Sequence, residues 1–160
     1  MKERTQEIRV YLDNCCYNRP YDDQSQVRIS LESQAKLEIQ DRIKNGKIKL
    51  VTSYMTEYEN AQNPIESRRK NIAQFQKENE SIHVKSTAVE KNLSMIADIE
   101  GTGIKHKDAI HIACAKLAEA DYLVSTDDRL LKYQTNDIHL VTPIEFLNKW
   151  EEIENDNEHE

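Results

Sequence analysis

The sequence predicts an α/β protein, a three-layer α/β/α sandwich around a central, mainly parallel β-sheet. Short apolar runs of strand length alternate with longer helical segments, a pattern typical of parallel sheets covered by helices on both faces. One segment, DAIHIACAKLA at 108–118, is apolar almost all round, which a helix tolerates only when it is buried. At 160 residues the chain predicts one domain over 1–150, and the acidic segment 151–160 is expected to be a disordered tail.

The first half of the chain is divided into elements by apolar spacing and by residues that end helices. IRVYL alternates apolar with larger amphipathic side chains and predicts a strand that ends at Asp13, before a polar loop containing Pro20. Gly46 is placed to end a long helix that has no internal proline or glycine, and Pro64 ends a shorter one. The predicted elements are strands at 8–12 and 47–53 and helices at 27–45, 54–62 and 65–79.

The second half repeats the alternation in shorter segments. YLVS at 122–125 is an apolar run of the kind found in buried parallel strands, and the glycines at 101 and 103 separate two helical segments. The predicted elements are strands at 82–85, 122–125 and 138–141 and helices at 87–100, 108–118, 127–133 and 143–150.

Charge and cysteine content restrict the class of protein. The chain has 22 basic and 29 acidic residues, but six of the acids lie in the last ten residues, so the body is nearly neutral. A neutral body argues against broad, non-specific nucleic-acid binding, although local basic patches at 68–70 and 105–107 remain. Three cysteines make a poor disulfide framework, and no signal peptide or membrane-length apolar stretch occurs. These features predict a cytoplasmic protein without a membrane partner.

Four short motifs each place a carboxylate beside an apolar segment: LDN at 12–14, EYEN at 57–60, KDAIHIA at 107–113 and STDD at 125–128. Asp13 and Asp128 lie at the carboxyl end of predicted strands, where open α/β sheets bind their ligands. Two carboxylates about 4 Å apart repel by roughly 4 kcal/mol at an effective dielectric near 20, so either some of the converging acids are protonated or a cation is bound. Oxygen ligands without Cys or His suit Mg²⁺ or Mn²⁺. The motifs therefore predict a metal-dependent nuclease.

The order of these acids and elements resembles the PIN-domain ribonucleases, the family that includes the VapC-like toxins. The resemblance runs from Ile8 to Leu147 and includes KDAIHIACA, YLVSTDD and the closing TPIEFL. It implies catalytic, metal-binding acids at Asp13, Glu59, Asp108 and Asp128, with Asp127 as a further candidate ligand. Glu59 is preferred over Glu57 because the family's acid lies six residues after a small polar residue, here Ser53. Asp108 is also expected to cap the buried helix.

Four further residues are expected to support this site. Asn14 and Thr126 are predicted to orient water or carboxylates. Arg19 lies in the loop after Asp13 and either contacts RNA or has a structural role. His111 lies one turn after Asp108 and is either a structural histidine or a contact to substrate or acid. The cysteines are predicted to be small buried hydrophobes.

The resemblance implies an endoribonuclease that hydrolyses RNA phosphodiesters with magnesium or manganese. It also implies use as the toxin of a toxin–antitoxin pair, with a small antitoxin protein as partner and with pairing into a homodimer. The alternative is a catalytically silent PIN-like module that binds RNA or a protein partner.

Overall fold

The structure, a computed structural model, describes residues 7–158, which alternate strands and helices along the chain. The strands are β1 Arg9–Leu12, β2 Lys49–Ser53, β3 Glu80–Val84, β4 Tyr122–Val124 and β5 His139–Val141. The helices are α1 Asn14–Asn18, α2 Val27–Lys44, α3 Tyr54–Ala61, α4 Glu66–Asn79, α5 Ser86–Glu90, α6 Leu93–Glu100, α7 His106–Leu117, α8 Asp128–Leu131 and α9 Pro143–Glu158, with a 3₁₀ helix at Arg19–Tyr21. Within these residues, no helix combines the length and apolar character needed to cross a membrane.

The five strands form one parallel sheet in the order β3-β2-β1-β4-β5. The chain builds outward from β1 to β3 on one side and then returns to place β4 on the other side of β1. This reversal makes the gap between β1 and β4 a topological switch point, and ligands of open α/β sheets bind outside the carboxyl ends of strands at such points.

Alternate side chains of the central strands point to opposite faces of the sheet, and each face carries its own core. Val10 and Leu12 of β1 pack with α2, α4 and α9, whereas Tyr11 packs with α5, α6 and α7. In β4, Leu123 lies in the same core as Tyr11, and its neighbour Tyr122 lies in the same core as Val10 and Leu12. A sheet covered by helices on both faces confirms the predicted three-layer α/β/α sandwich.

The almost wholly apolar segment forms α7 and lies against the sheet, with every residue from Ala109 to Ala115 buried. The helix begins two residues earlier than predicted, at His106, and its N-cap is Lys105. Asp108 is therefore the third helical residue, and the prediction that it caps α7 was wrong.

Three other segments differ from the sequence predictions. The predicted loop after Asp13 contains α1 and the 3₁₀ helix, because Asp13 itself accepts a hydrogen bond from the backbone N–H of Cys16 and caps α1. The predicted helix at 87–100 is two helices, and the break occurs where the Asn92 side chain donates to the Ala88 carbonyl oxygen at 2.8 Å.

The predicted disordered tail at 151–160 instead continues α9 through Glu158, and residues 159–160 lie outside the described residues. Ile153 packs on the core beside α2, and Glu154 lies 3.9 Å from the Lys47 ammonium. The glutamates of this segment also favour helix, so local propensity and packing act together.

Candidate active-site cleft

A cleft of about 480 Å³ opens at the carboxyl edge of the sheet. Its walls come from the segments that follow β1, β2 and β4 and from the first turns of α7. Five carboxylates line it: Asp13, Asp22, Glu59, Asp108 and Asp127. The other lining residues are Asn14, Cys15, Asn18, Gln62, Lys107 and His111. The fold thus brings acids from four distant segments into one space.

Asp13 lies at the floor of the cleft and is almost fully buried, with 4% of its surface exposed. Ser125 donates to its Oδ2 at 2.6 Å, and the backbone N–H of Cys16 donates to its Oδ1 at 3.3 Å. Ser125 also accepts a hydrogen bond at 2.9 Å from the backbone N–H of Asp127. Ser125 therefore joins the end of β1 to the turn after β4 at the switch point.

Cys15 places a thiol beside the same carboxylate. Its Sγ lies 2.7 Å from Asp13 Oδ1 and accepts a hydrogen bond at 3.3 Å from the backbone N–H of Thr126. Burial raises the pKa of Asp13 well above its usual range, whereas hydrogen bonding, chiefly from Cys16, lowers the pKa of Cys15 to about 6. A hydrogen bond therefore joins the two groups in a place where a second negative charge would be unfavourable.

Glu59 is held by a chain of hydrogen bonds that starts in the core. His111 Nε2 lies 2.8 Å from Glu59 Oε1, His111 Nδ1 lies 2.6 Å from the Tyr11 hydroxyl, and that hydroxyl lies 2.7 Å from Ser53 Oγ. The Ser53 oxygen also accepts from the backbone N–H of Met55 and caps α3. Donation can run in one direction from Ser53 to Glu59 when His111 accepts at Nδ1 and donates from Nε2.

Asp108 projects from the first turn of α7 and is half-buried. Burial raises its pKa, and the negative charges of Asp127 and Glu59 raise it further. No hydrogen bond to the Asp108 carboxylate occurs within residues 7–158. Asp108 is thus the acid that experiences the repulsion of the cleft most directly.

Of the two acids after β4, the structure places Asp127 and not Asp128 in the cleft. The Asp127 side chain accepts from the backbone N–H of Arg129 at 2.9 Å and caps α8. Asp128 is 68% exposed and points away, where the Arg28 guanidinium binds both of its oxygens at 2.9 and 3.1 Å. This pair lowers the pKa of Asp128. Of the two candidate ligands, Asp127 is therefore the one whose carboxylate lines the cleft.

The other predicted residues divide between the cleft and its surroundings. Asn14 and His111 line the cleft. Arg19 does not; its guanidinium is held by the buried carboxylate of Glu32 at 2.8 Å. The Thr126 side chain is buried, and its backbone N–H donates to the Cys15 sulfur at 3.3 Å. Glu57, the competitor of Glu59, lies outside the cleft and pairs with His83 at 3.0 Å.

Tyr11, Ser53 and Ser125 hold the acids of the site in place and were not predicted to belong to it. Ser125 stands at the end of the YLV strand, the position that signalled Asp13 after β1. Cys15, predicted to be a small hydrophobe, lies within hydrogen-bond distance of Asp13 instead. Tyr11 carries no comparable signal, because a tyrosine within an apolar strand is ordinarily a core residue.

The donor atoms in the cleft fit a divalent cation. Five carboxylates line the cleft, and the buried Oδ1 of Asn14 has no hydrogen-bond partner among the described residues. In that part of the chain, one group of three ligand-type side chains has its donor atoms within 4.8 Å of one another, namely Asp13, Cys15 and Cys16. Carboxylate and amide oxygens suit Mg²⁺ and Mn²⁺.

Neither a protein-family model nor a curated protein sequence matches this chain. A solved structure shares its fold: a chain from the crystal structure of VapBC2 from Rickettsia felis bound to a DNA fragment from their promoter. The two chains align with a TM-score of 0.52 at 13% sequence identity, over 83% of this chain and 97% of the other. The similarity at this identity is one of fold, and the fold is the PIN-like, VapC-like one that the sequence predicts.

Proposed function

We propose that the chain is a metal-dependent endoribonuclease that hydrolyses RNA phosphodiester bonds in the acidic cleft. The observation that carries the proposal is the convergence of Asp13, Glu59, Asp108 and Asp127 at the switch point of a PIN-like sheet. All four acids were candidate ligands in the sequence prediction, where Asp127 was the further candidate beside Asp128.

The four acids and the Asn14 side-chain oxygen would hold one or two Mg²⁺ or Mn²⁺ ions. Such an ion supplies an activated water and screens the negative charge of the phosphate. The chain's own part is to hold the carboxylates in place: Ser125 and Cys16 bind Asp13, and His111 binds Glu59. Lys107 on the rim offers a positive charge to the approaching phosphate backbone.

The structurally similar chain belongs to a VapBC complex, and we extend the proposal to a toxin that is inhibited by a small antitoxin protein and that pairs with a second copy of itself. Expression of this chain alone should slow growth of the host, and co-expression of the adjacent gene should relieve it. Normal growth during production of active nuclease would contradict the toxin role without affecting the nuclease.

Cleavage of end-labelled structured and unstructured RNA by the purified chain tests the nuclease. Cutting is expected with Mg²⁺ or Mn²⁺ and not with EDTA. Asp108→Asn should keep the fold, because the carboxylate accepts no hydrogen bond in the described residues, and should lower cleavage by more than the roughly 10- to 100-fold that outer-sphere residues contribute. Asp127→Asn should have the same effect.

Two further variants are matched controls. Asp128→Asn removes an acid adjacent to Asp127 but outside the cleft, and Asp41→Asn removes an exposed acid of α2. Both should retain most of the activity. Loss of activity in Asp128→Asn but not in Asp127→Asn would overturn the assignment of the fourth acid. RNA binding without cleavage by the folded wild-type chain would instead support a catalytically silent module.

A further inference from the structure

A second cavity, of about 590 Å³, adjoins the acidic cleft and shares one wall with it. The shared residue is Asp108, which lines both spaces. The remaining walls are the loop before α7, residues 102–105, and α8 with the turn after it, residues 129–134. We propose that this second cavity binds a nucleotide of single-stranded RNA next to the scissile phosphodiester. This inference rests on the proposed nuclease function and names where its substrate continues.

The charge of the cavity is opposite to that of the cleft. Lys105, Arg129 and Lys132 line it, and Asp108 at the shared wall is its acid. All three basic side chains are exposed. Lys105 lies near enough to Asp108, and Lys132 near enough to Asp128, to act on their charges, but among the described residues none of the three forms an ion pair. Exposed cations of this kind attract a phosphate backbone. A nucleic-acid strand leaving the acidic cleft therefore meets its complementary charge here.

Tyr133 gives the cavity a fixed aromatic wall. Its ring is half-buried against the core below α7, and Lys116 Nζ donates to its hydroxyl at 2.9 Å. Lys116 is in turn held by Asp137, 3.5 Å away. Aromatic rings of this kind are platforms on which unpaired bases stack, and the stacking is tolerant of base identity. Because the ring is held in place before binding, little ordering of the side chain is needed.

Size and position favour a nucleotide over a larger partner. The volume lies within the roughly 300 to 1,000 Å³ of small-ligand sites. Since Asp108 borders both spaces, a ligand group in the cavity can be covalently continuous with a phosphate in the cleft. A base must leave its stack to reach Tyr133, so the substrate at this point is single-stranded.

RNA binding in EDTA, where nothing is cut, tests the cavity by fluorescence anisotropy of a short, labelled, unstructured RNA over a range of salt concentrations. Arg129→Gln combined with Lys132→Gln should weaken binding and reduce the slope of log K against log salt by about 1.4, which is about 0.7 for each lost phosphate contact. Tyr133→Leu should weaken binding by about 5- to 150-fold with little change in slope. In cleavage assays both variants should raise KM more than they lower kcat.

The matched control is Lys44→Gln combined with Lys47→Gln, which removes the same charge where β2 begins, at the opposite edge of the sheet. Urea unfolding confirms that each variant is folded. If the wild-type chain cuts RNA and the cavity variants behave like this control, the cavity inference is overturned and the nuclease stands. If the wild-type chain neither binds nor cuts RNA, the nuclease fails and the cavity site fails with it. Variants that bind RNA normally but lose a protein partner would also overturn the inference.

Discussion

Removal of the Tyr11 hydroxyl isolates the hydrogen-bond chain that holds Glu59. Tyr11 is fully buried, and its hydroxyl bridges Ser53 Oγ at 2.7 Å and His111 Nδ1 at 2.6 Å. Tyr11→Phe keeps the ring, which packs edge-on against the His111 ring with the centroids 5.6 Å apart. The substitution therefore removes two buried hydrogen bonds and little apolar contact.

The expected loss of stability follows from the partners left behind. Ser53 Oγ still accepts from the backbone N–H groups of Met55 and Thr56, so its oxygen is not left without donors. His111 Nδ1, in contrast, has no other partner among the described residues. A buried polar atom without a partner costs about 1 to 3 kcal/mol, and we expect the free energy of unfolding to fall by that amount. For a chain of this length, Tm should fall by about 2 to 4 °C per kcal/mol.

Urea unfolding of Tyr11→Phe, compared with Tyr58→Phe on the surface, measures this loss. Tyr58 is 49% exposed, so its hydroxyl should contribute less than about 0.5 kcal/mol. His111→Leu and the double variant complete a cycle, and the double variant should lose less than the sum of the two single losses, by more than about 0.5 kcal/mol. A Tyr11→Phe chain as stable as the Tyr58→Phe control, with an unchanged m-value, would refute the hydrogen-bond chain.

Two further predictions concern stability away from the cleft. Burial lowers the pKa of Lys36 from 10.5 to about 8, so its charge destabilises the fold by about 3 kcal/mol below pH 8, partly offset by contacts with the Tyr17 and Phe75 rings. Lys36→Met should therefore raise the free energy of unfolding by about 1 to 2 kcal/mol at pH 7. This gain should disappear as pH rises from about 8 to 10.5, because the unfolded wild type binds more protons than the folded state in that range. Urea unfolding midpoints of both proteins, measured at each end of the range, give the difference. A gain in stability that does not change with pH would contradict this account. Gly46 follows the end of α2 with φ +77, and the Cβ of an alanine there would meet no atom within 4 Å. Gly46→Ala should therefore lower the free energy of unfolding by about 1 kcal/mol through backbone strain alone, and Gly46→Asn should lower it by less. Equal urea unfolding midpoints for the two variants would argue against strain.

The fold follows closely from the sequence wherever an element is long enough to show its period. Strand β1 and the buried helix α7 were predicted within two residues at each end, because an alternating run and an all-apolar run each identify their environment. Helix α1 has five residues, too few to show a period, and its start depends on a cap from Asp13. That carboxylate was interpreted only as a site residue, so its second role was not predicted.

The residues of the candidate site could be predicted only where the local sequence determines the direction in which a side chain points. Asp127 and Asp128 are adjacent at the start of a helix, where successive side chains point about 100° apart, so only one can face the cleft. The choice depends on Arg28, which binds Asp128 from a hundred residues earlier in the chain and holds it outward. No local pattern in STDD contains that information.

The same contacts separate structural acids from one that needs a ligand. Asp13 and Asp127 each cap a helix, and Glu59 is bound by His111, so the fold itself supplies hydrogen-bond partners to these three carboxylates. Asp108 has no hydrogen bond of this kind among the described residues, and the charges of Asp127 and Glu59 oppose its ionisation. A carboxylate whose charge the protein alone does not stabilise is stabilised by a bound cation. Asp108 is therefore the acid whose substitution bears most directly on function, with the least effect on the fold.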